Sequence, residues 1–431
     1  MKQAAAQAAR TIVSESLRGG FLDFIPSSGA EVIIAVDAED KRCSLAAHLL
    51  EGYVEGYGSG GAKIVTFSPD NFLQQMEALR EQHVKHYKAT AGRKHVPAQV
   101  AVLIQSGAFQ NELKAYRLRL RLTELGFNVA EHCHLSSMSE ETAMVNYAKA
   151  CGYSPHDALK DGNYFSQMID AYCRDSSDHP ADVVVHTHGG HQLRFRGGME
   201  KCKANNGYYE PIREKKPDGT AYSNPLDAQV LPLSGAGGTY PIGEVITEAA
   251  SLDGVDGVAS CFAFPTTSRV LSKVVPRSNP FLLHVKKGII EDVSGDVPTE
   301  FMEVLEIVRK AEGEAMVREL GLGLNPFLGR KCVVPDVTAF ERQLGVHVSM
   351  GKRHPLFVKN QNAAASSSKD EAITRGQLSC GLQGVPLKRK EGKYHFDLFL
   401  DAEKLSLERH ENDPVCRSGG AGREIWSNLY H

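Results

Sequence analysis

The sequence lacks several features that would assign it to a common functional class. Its 431 residues contain no uninterrupted apolar run of the roughly 18 residues that a membrane-spanning helix needs. The net charge is only −3, so no excess of charge favours nucleic acid or an anionic membrane surface as a partner. The first residues lack the apolar core of a secretory signal, which predicts a cytoplasmic location.

Cysteine pairs and nucleotide-binding loops are also missing. The nine cysteines are scattered, odd in number and without a Cys-x-x-Cys motif, which predicts reduced thiols and argues against a disulfide framework or a thiolate zinc site. No predicted strand is followed by G-x-G-x-x-G or a P-loop, so the usual nucleotide sites are not expected. These absences turn attention to the carboxylates and histidines.

Strand and helix patterns alternate through the first part of the chain. The apolar runs at 32–36, 62–67 and 99–104 are each followed by a segment with helical features, which predicts βαβ units and a mostly parallel sheet. From about residue 230 strands predominate. Because the chain is too long for one core, we predict an α/β fold with a βα-repeat N-terminal domain (1–180) and a strand-rich α+β metal-binding C-terminal domain (181–431).

The predicted C-terminal domain has two irregular segments and one long helix. A polar stretch at 200–229 is expected to form an excursion on the surface, and an Ala/Ser-rich stretch at 360–371 is expected to be a flexible loop. The segment from about 298 to 320 has the apolar spacing of a helix with a buried stripe, and Glu319 is expected at its end. A buried carboxylate there would oppose the helix dipole and favour a nearby cation.

A small set of histidines and carboxylates has the pattern of a metal site. His395 and Asp397 are two residues apart in a predicted strand, so their side chains project from the same face. His347 lies between valines on another apolar strand, while Glu244 follows a Pro-x-Gly turn and Glu319 precedes a Gly-rich turn. Two histidines with a carboxylate are the minimum set for a divalent metal. Each signal alone is weak, because a lone strand histidine or a helix-end glutamate is more often an ordinary core or surface residue.

A second group of histidines stands at the end of a predicted strand. His186, His188 and His191 are accompanied by two glycines that would allow close approach of a ligand, but by no carboxylate. We therefore consider them as candidates for pocket lining or substrate contact. The alternative is that they are simple strand-end histidines.

Five segments resemble, in the same order, motifs of the aminopeptidase T/aminopeptidase S metallopeptidases. These segments are 239–245 (TYPIGEV), 288–295 (GIIEDVSG), 318–325 (RELGLGLN), 340–351 (FERQLGVHVSMG) and 395–397 (HFD). The resemblance covers roughly residues 230–405. It implies a homodimer with two divalent ions (zinc, cobalt or manganese) bound by Glu244, Glu319, His347, His395 and Asp397.

The same resemblance indicates residues for proton transfer. The peptidases have a tyrosine seven residues after the first histidine, and this chain has His354 there. His354 or the nearby Glu341 is therefore the candidate catalytic residue for proton transfer. The implied activity is hydrolysis of a peptide or amide bond by metal-activated water, with a short peptide or small molecule as substrate.

A second branch of the same fold, the 2,5-dihydroxypyridine dioxygenases, is also similar. It holds one Fe(II) by two histidines and one aspartate, which correspond here to His347, His395 and Asp397. The alternative prediction is therefore a mononuclear Fe(II) dioxygenase acting on a small aromatic or specialised metabolite. A non-catalytic binding protein that has kept the fold is a third hypothesis.

Overall fold

The computed structural model describes most of the second half of the chain and separate segments of the first half. The described residues are 31–37, 62–67, 71–91, 99–104, 121–122, 125–132, 141–150, 153, 155–174, 180–205, 237–268, 271–276, 278–329, 334–352, 394–408 and 423–427. His354, most of the 200–229 excursion and the 360–371 loop lie outside these ranges. No described helix is both long and apolar enough to cross a membrane.

Two compact units each combine three stretches of the chain. The first unit comprises Met1–Leu159, Asn205–Gly243 and Asn325–Ala339, and the second comprises Lys160–Ala204, Glu244–Leu324 and Phe340–His431. The domain boundary expected after residue 180 remains a prediction.

The first unit is built on a parallel sheet. Its described strands are β1 (Glu31–Asp37), β2 (Ala62–Phe67), β3 (Gln99–Ile104), β4 (Phe127–His132) and β8 (Gly237–Tyr240), in the order β2-β1-β3-β4-β8. Helices α1 (Phe72–Ala91) and α2 (Glu141–Ala150) occur between strands along the chain. Phe72 and Met76 of α1 are buried in one hydrophobic cluster with Ile33 and Phe127 of the sheet. The predicted parallel sheet is confirmed.

The second unit is dominated by an antiparallel sheet of thirteen described strands. These strands are β5 (Asp182–Thr187), β6 (His191–Phe195), β7 (Lys203–Asn205), β9 (Glu244–Glu248), β10 (Val255–Pro265), β11 (Ser272–Val274), β12 (Phe281–Lys286), β13 (Ile289–Gly295), β14 (Val317–Gly323), β15 (Gly345–Gly351), β16 (His395–Leu400), β17 (Ala402–Glu408) and β18 (Arg423–Ser427). Ten of them follow the order β18-β17-β5-β6-β10-β16-β15-β14-β9-β7, while β11 and β12 pair with β10 and β13 pairs with β12. Helices α3 (Pro155–Ile169), α4 (Thr299–Glu312) and α5 (Val337–Glu341) complete the described α-helices. The α/β fold class with a strand-rich second part is confirmed.

Helix α4 is shorter than its sequence pattern predicts. The predicted apolar stripe of Phe301, Val304, Leu305 and Val308 is buried. The helix nevertheless ends at Glu312, because Gly313 adopts a left-handed conformation (φ 89°) and its N–H bonds to the Arg309 carbonyl. The expectation that Glu319 ends this helix is wrong. Glu319 lies in β14, which is hydrogen-bonded to β9 on one side and β15 on the other.

Candidate metal centre

Four neighbouring strands of the antiparallel sheet position the candidate metal ligands. Glu244 begins β9, Glu319 lies in β14, His347 in β15, and His395 and Asp397 in β16. These strands are adjacent in the order β16-β15-β14-β9, and the β15–β16 register aligns Ser349 with Asp397. The structure therefore brings together residues that are far apart in the sequence.

The side-chain atoms converge on a small buried volume. His395 Nε2 lies 3.3 Å from Asp397 Oδ1 and 4.0 Å from Glu319 Oε1. His347 Nε2 lies 3.9 Å from Glu319 Oε1 and 3.4 Å from Glu244 Oε1. One ligand atom from each of Glu319, His347 and Asp397 can be chosen so that all three lie within 4.8 Å of one another. These three residues are each no more than 3% exposed.

Three atoms of this buried group make no hydrogen bond within the part of the chain that the structure describes. They are Glu319 Oε2, His347 Nε2 and Asp397 Oδ1. A buried polar atom without a partner costs about 1–3 kcal/mol, and a cation bound among these residues would reduce that cost. Imidazole nitrogens and carboxylate oxygens without sulfur suit iron, manganese, cobalt or zinc. The donor set therefore fits a divalent metal ion.

Backbone contacts orient two of the candidate ligands. His395 Nδ1 lies 2.8 Å from the carbonyl oxygen of Lys352. Because a carbonyl only accepts hydrogen bonds, Nδ1 carries the proton that it donates, and in the neutral ring the Nε2 lone pair, on the side of Asp397, could bind a cation. The backbone N–H of Glu319 donates to Ser349 Oγ at 3.2 Å, which ties β14 to β15 beside the site.

A glycine provides the space for the His347 ring. Gly321 on β14 is directly opposite His347 on β15. A Cβ atom added to Gly321 would overlap the imidazole atoms Nε2, Cε1 and Cδ2 of His347. The ring also packs against Phe399 of β16, with ring centroids 5.6 Å apart. The position of His347 is therefore fixed from two neighbouring strands.

Arg342 lies beside the cluster and was not anticipated as a site residue. Its Nη2 lies 3.1 Å from Glu244 Oε2, and its Nη1 contacts Glu341 Oε2. Phe340, two residues before Arg342, packs against Phe399 with ring centroids 4.5 Å apart, which anchors the end of α5 to β16. The predicted catalytic residue Glu341 is therefore adjacent to the metal cluster, and it is held there by an arginine.

Two carboxyl groups of the site favour the protonated form. Burial raises the pKa of Glu319 well above its ordinary value, and the Asp397 and Glu244 carboxylates raise it further. Burial likewise raises the pKa of Glu341 well above its ordinary value, even though Arg342 acts in the opposite direction. The neighbouring Asp397 carboxylate raises the pKa of Glu341 as well.

Two other carboxyl groups favour the charged form because each has a cationic partner. Burial acts to raise the pKa of Glu244, but the Arg342 guanidinium and His347 together lower it. Burial acts in the same way on Asp397, and His395 lowers the pKa of that carboxyl below its ordinary range. Burial acts to lower the pKa of His395, but the Asp397 carboxylate raises it well above the ordinary histidine value.

The histidines predicted to contact substrate lie elsewhere in the sheet. His186 is on β5, His188 is in the following turn and His191 begins β6. His186 Nε2 lies 2.9 Å from Ser406 Oγ, and His188 Nδ1 lies 3.4 Å from Glu403 Oε1, so both contact β17. Strands β10 and β16 separate β6 from β15 in the sheet order. The substrate role of these histidines remains a prediction.

Comparisons with known proteins show structural similarity of low degree. No family model matches the chain, and no curated protein matches it. The solved structure of a 2,5-dihydroxypyridine dioxygenase from Pseudomonas putida KT2440 is similar, with 10% sequence identity and a TM-score of 0.45 over 94% of each chain. Membership of the aminopeptidase T/aminopeptidase S family remains a prediction.

Proposed function

We propose that this chain is a metal-dependent enzyme with a single divalent ion, and that with Fe(II) it is a dioxygenase of small aromatic compounds. His347, His395 and Asp397 would hold the ion, and Glu319 would lie beside it. The support is that ligand atoms of Glu319, His347 and Asp397 lie within 4.8 Å of one another, and that buried atoms of these three residues make no hydrogen bond within the described part of the chain. His395 is included because its Nε2 lies 3.3 Å from Asp397 Oδ1.

The observation that favours one ion over two is the ion pair between Arg342 and Glu244. A dinuclear centre of the peptidase type would need Glu244 as a ligand. In this structure its Oε2 is 3.1 Å from a guanidinium, and both side chains are about nine-tenths buried. The negative charge of Glu244 is therefore already compensated by a group that stays protonated at any physiological pH.

The chain's own residues would perform the binding, orientation and proton steps. Two imidazoles and one carboxylate on Fe(II) leave positions open for O₂ and a chelating substrate. The carbonyl of Lys352 fixes the orientation of the His395 ring. Glu341 holds a proton next to Asp397 and is the group we assign to proton exchange with a bound phenolic substrate.

Amide hydrolysis is the second candidate, and one contact favours it. Glu244 Oε1 is 3.4 Å from His347 Nε2, so Glu244 would be close to an ion held by His347. If a second ion displaced Arg342, Glu244 and Glu319 would be available as further ligands. Two metals would then polarise the carbonyl and activate a water molecule.

The two candidates can be separated by loading the protein with different metals. Protein purified under argon would be supplied with Fe(II), Mn(II), Co(II) or Zn(II), and assayed for oxygen uptake with catechols and hydroquinones and for hydrolysis of amino-acid anilides. We expect oxygen uptake only with Fe(II), and its loss in Asp397→Asn. The matched control is Glu306→Gln, an exposed carboxylate on α4. Anilide hydrolysis with Co(II) or Zn(II) and no oxygen uptake would instead establish the hydrolase.

A further inference from the structure

Arg342 connects two buried carboxylates at the edge of the candidate metal centre. One terminal nitrogen lies 3.1 Å from Glu244 Oε2 and the other contacts Glu341 Oε2. Only 8% of the Arg342 side chain is exposed, compared with 11% for Glu244 and 20% for Glu341. The guanidinium is therefore placed between the two carboxylates and away from solvent.

Both neighbours of this guanidinium also face the metal cluster. Glu244 directs its other oxygen, Oε1, to within 3.4 Å of His347 Nε2. The Glu341 side chain interacts electrostatically with Asp397. A divalent ion in the place of the guanidinium would contact one oxygen of Glu244 and one oxygen of Glu341. These two residues would also lie beside the ion held by His347, His395 and Asp397. The guanidinium thus occupies a position between two carboxyl groups, Glu244 and Glu341, whose oxygens are suitable metal ligands.

The chemistry of arginine explains how it can replace an ion. Its planar fork offers several N–H donors that match carboxylate oxygens, and its charge is permanent. A buried carboxylate whose cationic partner is removed is strongly destabilised unless another cation replaces that partner. Two cations at this position would repel each other at close range. Occupation by the guanidinium and by a second metal ion are therefore mutually exclusive.

We propose that Arg342 restricts the centre to one divalent ion, and that its removal opens a second metal position formed by Glu244 and Glu341. The proposal rests on the single-ion centre proposed above, and it concerns metal number only. The ligand of the opened position is a divalent cation that accepts oxygen ligands, such as Mn(II) or Co(II). A lysine at position 342 would keep the charge and so would keep the second position closed.

The test is the number of Mn(II) ions bound per chain in three proteins. Wild type, Arg342→Met and Arg342→Lys would be freed of metal, titrated with Mn(II) under argon and examined by electron paramagnetic resonance. We expect one Mn(II) per chain for wild type and for Arg342→Lys. We expect two for Arg342→Met, with the spectral broadening of a magnetically coupled pair. One Mn(II) in Arg342→Met, or two in wild type, would overturn the proposal.

A further variant keeps the test decisive if Arg342→Met is unstable. Glu244→Gln removes the carboxylate that Arg342 neutralises, and it should still bind one Mn(II) with an affinity within tenfold of wild type. Loss of Mn(II) binding in Glu244→Gln would show that Glu244 is a ligand of the first ion, which contradicts the proposal. If Arg342→Met unfolds without metal, Mn(II) should restore its thermal stability, and failure to do so also counts against the proposal.

The outcomes also separate this proposal from the function proposed above. A wild-type protein that binds no Mn(II) would refute the metal centre itself. A wild-type protein with one Mn(II), combined with one in Arg342→Met, would refute only the role of Arg342.

Discussion

Replacing Gly321 with alanine should damage the candidate metal centre, although the substitution changes none of the candidate ligands. Gly321 and His347 face each other across β14 and β15, and an added Cβ would occupy the position of the imidazole ring. The backbone of β14 has little freedom to move away because it is hydrogen-bonded to strands on both sides. The ring itself must therefore move.

The size of the effect follows from the surroundings of the ring. His347 is 1% exposed and packs against Phe399, so its displacement strains a closed part of the core. Overpacking of this kind costs about 1–3 kcal/mol of stability. Displacement of the His347 ring should also lower the metal affinity. The loss should be at least the roughly 10–100-fold known for changes to groups that orient ligands.

The assay compares Gly321→Ala with Gly329→Ala by Mn(II) titration and thermal unfolding. An added Cβ at Gly329 would meet no atom of the described residues within 4 Å, so this matched substitution should change stability by no more than about 0.5 kcal/mol and leave metal affinity intact. If Gly321→Ala binds Mn(II) as tightly as wild type, His347 is not a ligand and the proposed centre is wrong.

Three further predictions concern the groups around the cluster. Ser349→Ala, which removes the acceptor of a buried β14 N–H, should cost about 1–3 kcal/mol in urea unfolding. Folding raises the pKa of His395, so the stability that His395 contributes to the metal-free protein is present at low pH and is lost as the pH rises through the folded-state pKa. The affinity for Mn(II) should rise over the same pH interval. Thermal melts of His395→Gln should lack this pH dependence. Arg318→Met should cost about 3–5 kcal/mol because it leaves the buried Glu312 charge without its partner, whereas Lys310→Met at an exposed ion pair should change urea stability by less than about 1 kcal/mol.

Much of the candidate site could be predicted because strand periodicity determines which side chains share a face. His395 and Asp397 alternate with buried apolar residues on β16, and this pattern is visible in the sequence. His347 lies between two valines in a strand, as expected. The parallel sheet of the first unit also follows from its apolar runs.

Other features depend on contacts that no local pattern reveals. The helical spacing around residue 320 suggested that Glu319 ended a helix, but the left-handed turn at Gly313 ends the helix earlier and pairing with β9 and β15 imposes a strand. No local sequence pattern distinguishes Arg342 from an exposed arginine. Its ion pair with Glu244 joins segments distant along the chain, so its role is visible only after folding.

The metal content of protein purified under argon tests the central claim most directly. Elemental analysis of wild type after loading with Fe(II) and removal of excess metal should give one iron per chain. Asp397→Ala should give none while retaining a cooperative thermal transition. A wild-type protein that retains no metal, or an Asp397→Ala protein that retains as much as wild type, would contradict the proposed centre.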